Sequence, residues 1–193
     1  MTDDDGAVFF GRAMQLYAAA YTDINPLQKR AGEELDRLAG ASDATAQFCT
    51  LRGDKYVVLD SRSGRGLFRI TIDIGVPVPL PWTASGRLLL AHMSSDEIRA
   101  RVPLADYQLP DGRVIDPDQF LADVARARAD GYCMTLGLSD HFSCCLATPI
   151  QDTRGRTIAT ICFVIPADGP EERRRDLLQL LTQAAHRLSA TKN

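Results

Sequence analysis

Residues 131–165 read GYCMTLGLSDHFSCCLATPIQDTRGRTIATICFVI, and their reading decides the fold. Two apolar runs rich in β-branched residues, 144–150 and 157–165, flank Asp152-Thr153-Arg154-Gly155. An Asp-x-x-Gly group between two such runs signals a β-hairpin, because glycine adopts the positive φ that the turn needs. Few charges sit on either strand, so both faces of the sheet are expected to be covered. Cys144, Cys145 and Cys162 lie on this hairpin. A two-residue loop places Cys145 opposite Cys162 with both thiols on one face. A three-residue loop with a bulge at Gly155 turns them to opposite faces, because one residue of slip flips every side chain. A hairpin with a small polar or thiol patch on an apolar face suits the floor of a ligand pocket.

Working outward, residues 9–21 have helical composition. Asn25-Pro26 with Gln28 opens a second helix by a cap, an N1 proline and a capping-box pattern. Its buried stripe is Leu27, Ala31, Leu35 and Leu38, and Gly40 ends it. Residues 45–51 and 55–60, joined at Arg52-Gly53-Asp54, read as a hairpin, and residues 67–72 as a further strand. Pro77, Pro79 and Pro81 hold the next segment extended. A helix then starts near Gly86. Its Gly-containing approach leaves backbone N–H groups at the positive end of the helix dipole, a ready anion site. Ser94 with Glu97 forms a capping box for a short helix. Asp116-Pro117 with Gln119 opens a longer one that buries Phe120, Leu121, Val124 and Ala125 and stops at Gly131. A last helix follows Pro170, with Leu177, Leu181, Ala184 and Leu188 inward. Strands in groups between groups of helices give an α+β fold, an antiparallel sheet covered by helices.

The chain has 193 residues, the size of one domain with a full core. A net charge of −3 gives no support to nucleic-acid binding by bulk charge. No apolar run reaches the length of a membrane span, and the acidic N-terminus lacks the positive segment of a signal peptide. Five cysteines without C-x-x-C spacing argue against a disulfide framework or a structural zinc site, and free thiols place the protein in a reducing cytoplasm.

Three ordered segments carry a family resemblance: PLPWTASGRLLLAHMSSDE at 79–97, FLADVARARADGY at 120–132, and CCLATPIQDTRGRTIATICF at 144–163. With the final amphipathic helix, they resemble the effector-binding domain of IclR-type transcriptional regulators, over most of the chain from about residue 9. The resemblance implies a GAF-like fold with a six-stranded antiparallel sheet between helices, and residues 9–193 as the domain. It implies a homodimer or tetramer that senses a small metabolite in the cytoplasm and so controls transcription. Residues 1–8 read as a disordered N-terminus or a linker remnant. DNA would be reached only through a winged helix-turn-helix that this chain does not contain; an excised domain and a natural protein without its own DNA reader both fit. The helix at 9–21, with Phe9, Phe10, Met14, Leu16 and Tyr17, is the expected dimerisation element.

Carried onto this sequence, the family's pocket implies Thr83, Ala84 and Ser85 as the backbone-amide loop. It implies Leu67, Ile70, Val78 and Leu80 as apolar lining, with Trp82 at a usually small position and Arg87 at a frequent lysine. Thr135 stands where an acidic residue is common, Cys145 at the pocket cysteine, and Cys162 and Val164 at positions often serine. The loss of an acid and two hydroxyls makes the pocket more apolar. The expected effector is therefore an organic acid with an apolar or aromatic body, its carboxylate at residues 83–85. Two other readings are open. Asp140, His141, Cys144 and Cys145 sit close in sequence, and Cys133 could come near; of these, His141, Cys144 and Cys145 are weak candidate ligands for zinc, although the spacing matches no standard pattern. Cys144, Cys145 and Cys162 could serve a thiol-based redox enzyme, although the hairpin supplies no evident cation to activate a thiolate. The main reading needs no cofactor and no catalysis.

Overall fold

A computed structural model describes residues 16, 26–66 and 73–190. The predicted helix at 9–21 (Leu16 apart), the Asn25 cap and the predicted strand at 67–72, with Leu67 and Ile70, lie outside these residues.

Helix α1, Pro26–Ala41, buries Ala31, Leu35 and Leu38 as its spacing predicts. Strands β1, Thr45–Arg52, and β2, Lys55–Arg62, form the first hairpin. The short strand β3, Pro77–Pro79, pairs with β2 and lies at the sheet edge, where prolines cost no ladder hydrogen bond. A 3₁₀ turn at Leu80–Trp82 leads into helix α2, Ala84–Leu90. That helix starts two residues before Gly86, because the Thr83 hydroxyl caps it by accepting from the Gly86 amide at 2.9 Å. Gly86 is required by close packing: a Cβ there would lie 2.0 Å from the Leu80 carbonyl oxygen.

Helix α3, Ser95–Arg101, carries the expected capping box. Helix α4, Pro117–Asp130, is capped by the Asp116 carboxylate, which accepts from the Asp118 and Gln119 amides. Gln119 does not complete a box; its side-chain amide donates to Asp123. Strands β4, Cys133–Leu136, β5, Ser143–Gln151, and β6, Thr157–Pro166, follow, and helix α5, Glu171–Leu188, closes the chain.

The six strands form one antiparallel sheet in the order β3-β2-β1-β6-β5-β4. Alternation along each strand sends residues to two different cores. Phe48, Cys144, Leu146, Ile161 and Phe163 pack with α1 and α5. Cys49, Tyr56, Val58, Ala147 and Cys162 pack with α2 and α4.

The β5–β6 hairpin takes the predicted three-residue loop, 153–155, with Gly155 at the bulge position and its amide donating to the Asp152 carbonyl at 2.9 Å. Its turn spans 152–156: the Asp152 amide donates to the Arg156 carbonyl, and the Asp152 carboxylate accepts from the Arg154 and Arg156 amides. Gly155 takes the turn's positive φ, 76°. The loop brings Gln151 opposite Thr157, and a bulge beside Gln151 then shifts the register, so that Cys145 faces Val164 and Ala147 faces Cys162. Cys145 and Cys162 therefore share a face as diagonal neighbours.

Candidate functional site

A cavity of about 180 Å³ opens on the sheet face covered by α2 and α4. Its walls come from four parts of the chain. The strands supply Gln47, Tyr56, Val58, Thr135, Cys145 and Val164. The edge segment supplies Asp73, Val76 and Val78, and the approach to α2 supplies Trp82 and Thr83. The loop after β4 folds over with Leu138, Ser139 and Asp140, beside Ser143 at the start of β5.

The sheet register explains the convergence. Thr135 pairs with Cys145, Cys145 with Val164, and Val164 with Thr45, two residues before Gln47 on the same face. Of the site residues read from the sequence, Val78, Trp82, Thr83, Thr135, Cys145 and Val164 line this cavity. Leu80, Ala84, Ser85 and Cys162 do not reach its wall; they are packed solidly beneath it. Leu80 is drawn inward by the 3₁₀ turn, and Ala84 and Ser85 by the burial of α2 along its whole length. Only Thr83 of the expected amide loop faces the cavity, with its hydroxyl oxygen already capping the helix.

The floor is polar but internally bonded. The Tyr56 hydroxyl and the Cys162 thiol both donate to the Gln47 carbonyl oxygen, at 3.5 and 3.6 Å. The Cys49 thiol donates to the Tyr56 oxygen at 3.4 Å and touches the Cys162 sulfur at 3.8 Å. Burial pushes the Tyr56 phenol well above its ordinary pKa, and the neighbouring thiols add to the shift. Hydrogen bonds to Cys145 and Cys49, with burial, raise Cys162 well above its ordinary value. Phenol and thiol therefore stay neutral, as suits a buried floor. The Gln47 amide nitrogen, fully enclosed, has no partner.

The rim is fixed from outside. The Trp82 indole N–H donates to the Asp106 carbonyl at 2.8 Å, and Asp106 pairs with Lys55 at 2.8 Å. The Asp140 carboxylate accepts from the Phe142 and Ser143 amides and from the Ser143 hydroxyl, at 2.8, 2.7 and 2.6 Å. Partial burial opposes its charge, yet the hydrogen bonds from Ser143 and Phe142 together outweigh burial and lower its pKa.

The candidate zinc ligands are not brought together. Adjacent positions on β5 point to opposite faces, so Cys144 is sealed in the α1–α5 core while Cys145 lines the cavity. Burial pushes the Cys144 thiol up to about 11. The His141 side chain is exposed, 4.0 Å from Asp111. Among the described residues no group of three His, Cys, Asp or Glu is placed to hold a metal ion. The same alternation separates Cys144 from Cys145 and Cys162 and breaks up the three-thiol set of the redox reading.

Sequence reasoning missed Gln47, Tyr56 and the loop at 138–140. Gln47 left one signal, a polar amide inside an otherwise apolar strand. The loop left none, because its placement depends on β4 pairing at the far edge.

The fold is an α+β domain whose antiparallel sheet and capped helix start enclose a cavity. The model of the bacterial transcriptional regulator IclR C-terminal family matches residues 11–190, and the chain belongs to that family. The Pca regulon regulatory protein of Pseudomonas putida is 28% identical over 144 residues, which are 74% of this chain. The chain spans half the length of that relative (50%). The C-terminal domain of the Escherichia coli transcriptional regulator KdgR superposes with a TM-score of 0.73 at 25% identity, over 86% of this chain and 98% of that one. An IclR transcriptional regulator from Alicyclobacillus acidocaldarius shares the fold, with a TM-score of 0.82 at 20% identity, over 95% of this chain and 75% of its own. Among the described residues no helix is long and apolar enough to cross a membrane.

Proposed function

We propose that the cavity floored by Gln47, Cys145 and Val164 is the effector site of this regulator domain. The chain would sense a small organic molecule with an apolar or aromatic body in the cytoplasm. Ligand binding would favour one arrangement of a dimer or tetramer over another, and so set the regulator's contact with DNA. One observation carries the reading: strand, edge and loop residues far apart in sequence converge on one apolar-walled cavity with a few polar groups, the usual form of a small-molecule site. The carboxylate expected on the effector would meet only Thr83 of the amide loop, so the loop gives an acid little to hold.

Trp82 is the only tryptophan and lines the cavity, so its fluorescence reports on occupancy. A screen of single-ring compounds should find ligands that change Trp82 emission saturably and raise the melting temperature. Val164→Phe, which fills the cavity from its floor, should abolish both responses in a folded protein. Ligands that bind Val164→Phe as well as the wild type would remove the cavity from the account.

A further inference from the structure

The cavity also selects for charge and for hydrogen-bonding type. Its wall holds two carboxylates, Asp73 and Asp140, and among the described residues no cationic side chain. Two guanidinium groups lie around it, and both are committed elsewhere. Arg87 is 3% exposed; it donates to the Pro81 and Thr83 carbonyls at 3.0 Å each, pairs with Asp123 at 3.4 Å and lies over the Phe120 ring. Arg113 grips the Leu138 carbonyl at 2.8 Å and pairs with Asp111 at 2.6 Å. An anion entering the cavity therefore meets like charge in a partly desolvated space, where repulsion is stronger than in water.

Gln47 supplies the positive requirement. Its side chain is 1% exposed and lines the cavity. Its oxygen is engaged by Tyr56 and Cys162, while its nitrogen has no partner. A buried donor without an acceptor is costly, and a ligand that supplies the acceptor recovers that cost. A cationic ligand would suit Asp73 at the rim but would bring no acceptor to Gln47. The volume sets the size: a cavity of roughly 150 Å³ accepts one benzene ring, and this one is about 180 Å³. Trp82, Val78 and Val164 provide the apolar walls.

We infer that the effector is an uncharged, single-ring molecule whose carbonyl or hydroxyl oxygen accepts a hydrogen bond from the Gln47 amide. This inference rests on the cavity being the effector site. It replaces the carboxylate head group by a neutral acceptor and moves the head from residues 83–85 to the sheet floor.

The test uses four probes of similar size on the intact chain: acetophenone, ethylbenzene, benzoate and benzylammonium, titrated against Trp82 fluorescence at low salt. Acetophenone should bind about tenfold tighter than ethylbenzene, the worth of one recovered buried hydrogen bond. It should exceed benzoate and benzylammonium by at least about as much. Gln47→Leu should abolish the preference for acetophenone over ethylbenzene. Asp73→Asn changes only the exposed rim and serves if Gln47→Leu fails to fold; it should narrow the gap between benzoate and acetophenone. Benzoate or benzylammonium binding as tightly as acetophenone in the wild type overturns the inference. If that binding is lost in Val164→Phe, the effector site itself stands. Probe binding indifferent to Val164→Phe removes the site and the inference together.

Discussion

The two faces of the sheet are built from the same strands and differ in almost every other respect. Toward α1 and α5, β1, β5 and β6 present Phe48, Leu146, Ile161, Phe163 and Ile165, large side chains that are sealed from solvent. Toward α2 and α4, alternate positions of the same strands present Gln47, Cys49, Cys145, Ala147 and Cys162, which are small or polar. Large branched and aromatic side chains fill space between a sheet and two helices and leave no void. Small and polar ones leave room, and their donors and acceptors must find partners in each other or in a ligand. Large apolar packing is concentrated on the first face, and the cavity proposed as the effector site opens on the second.

The largest expected effect breaks the first face alone. Phe163→Ala should cost about 3–5 kcal/mol of unfolding free energy, measured by urea titration, because it removes a ring from a site closed on every side. Ligand affinity of the remaining folded protein should stay unchanged, since Phe163 points away from the cavity. A matching loss of affinity would mean that the two faces are not separate.

A smaller effect sharpens the second face. The lowered pKa of Asp140 means that its hydrogen bonds to the loop at 142–143 stabilise the fold above the unfolded carboxylate pKa of about 3.9. That contribution is lost as pH falls through the lower folded value. Urea midpoints measured from pH 7 downward should therefore fall less steeply on the acid side for Asp140→Asn than for the wild type. Parallel acid limbs in the two proteins would show that the loop is held by something other than this carboxylate.

The helices were legible because their signals are local. The stripe of Ala31, Leu35 and Leu38 and the caps at Asp116 and Ser94 depend on residues within one or two turns. The hairpin was legible as a hairpin, but the face of Cys145 was not, since it depends on a bulge beside Gln151 that leaves no mark in the sequence. The family resemblance brought six wall residues together, yet it could not separate those that face the cavity from those one layer below. Leu80, Ala84, Ser85 and Cys162 are adjacent in sequence or register to true wall residues and differ from them only by direction. Gln47 and Asp140 set the cavity's charge and donor character, and they were missed because their meaning arises only when β1 and the loop after β4 meet in space.

The neighbouring residues Cys144 and Cys145 offer the most direct test, since one strand step carries them to opposite faces. Each is changed to serine, and unfolding free energy and acetophenone affinity are measured for both proteins. Cys144→Ser buries a hydroxyl among apolar side chains and should cost about 1–3 kcal/mol with no change in affinity. Cys145→Ser should leave stability within about 0.5 kcal/mol and change affinity instead, because it alters the cavity wall. The reverse pattern, or equal effects of the two substitutions on both quantities, would contradict the proposed division between a face that holds the fold and a face that reads the ligand.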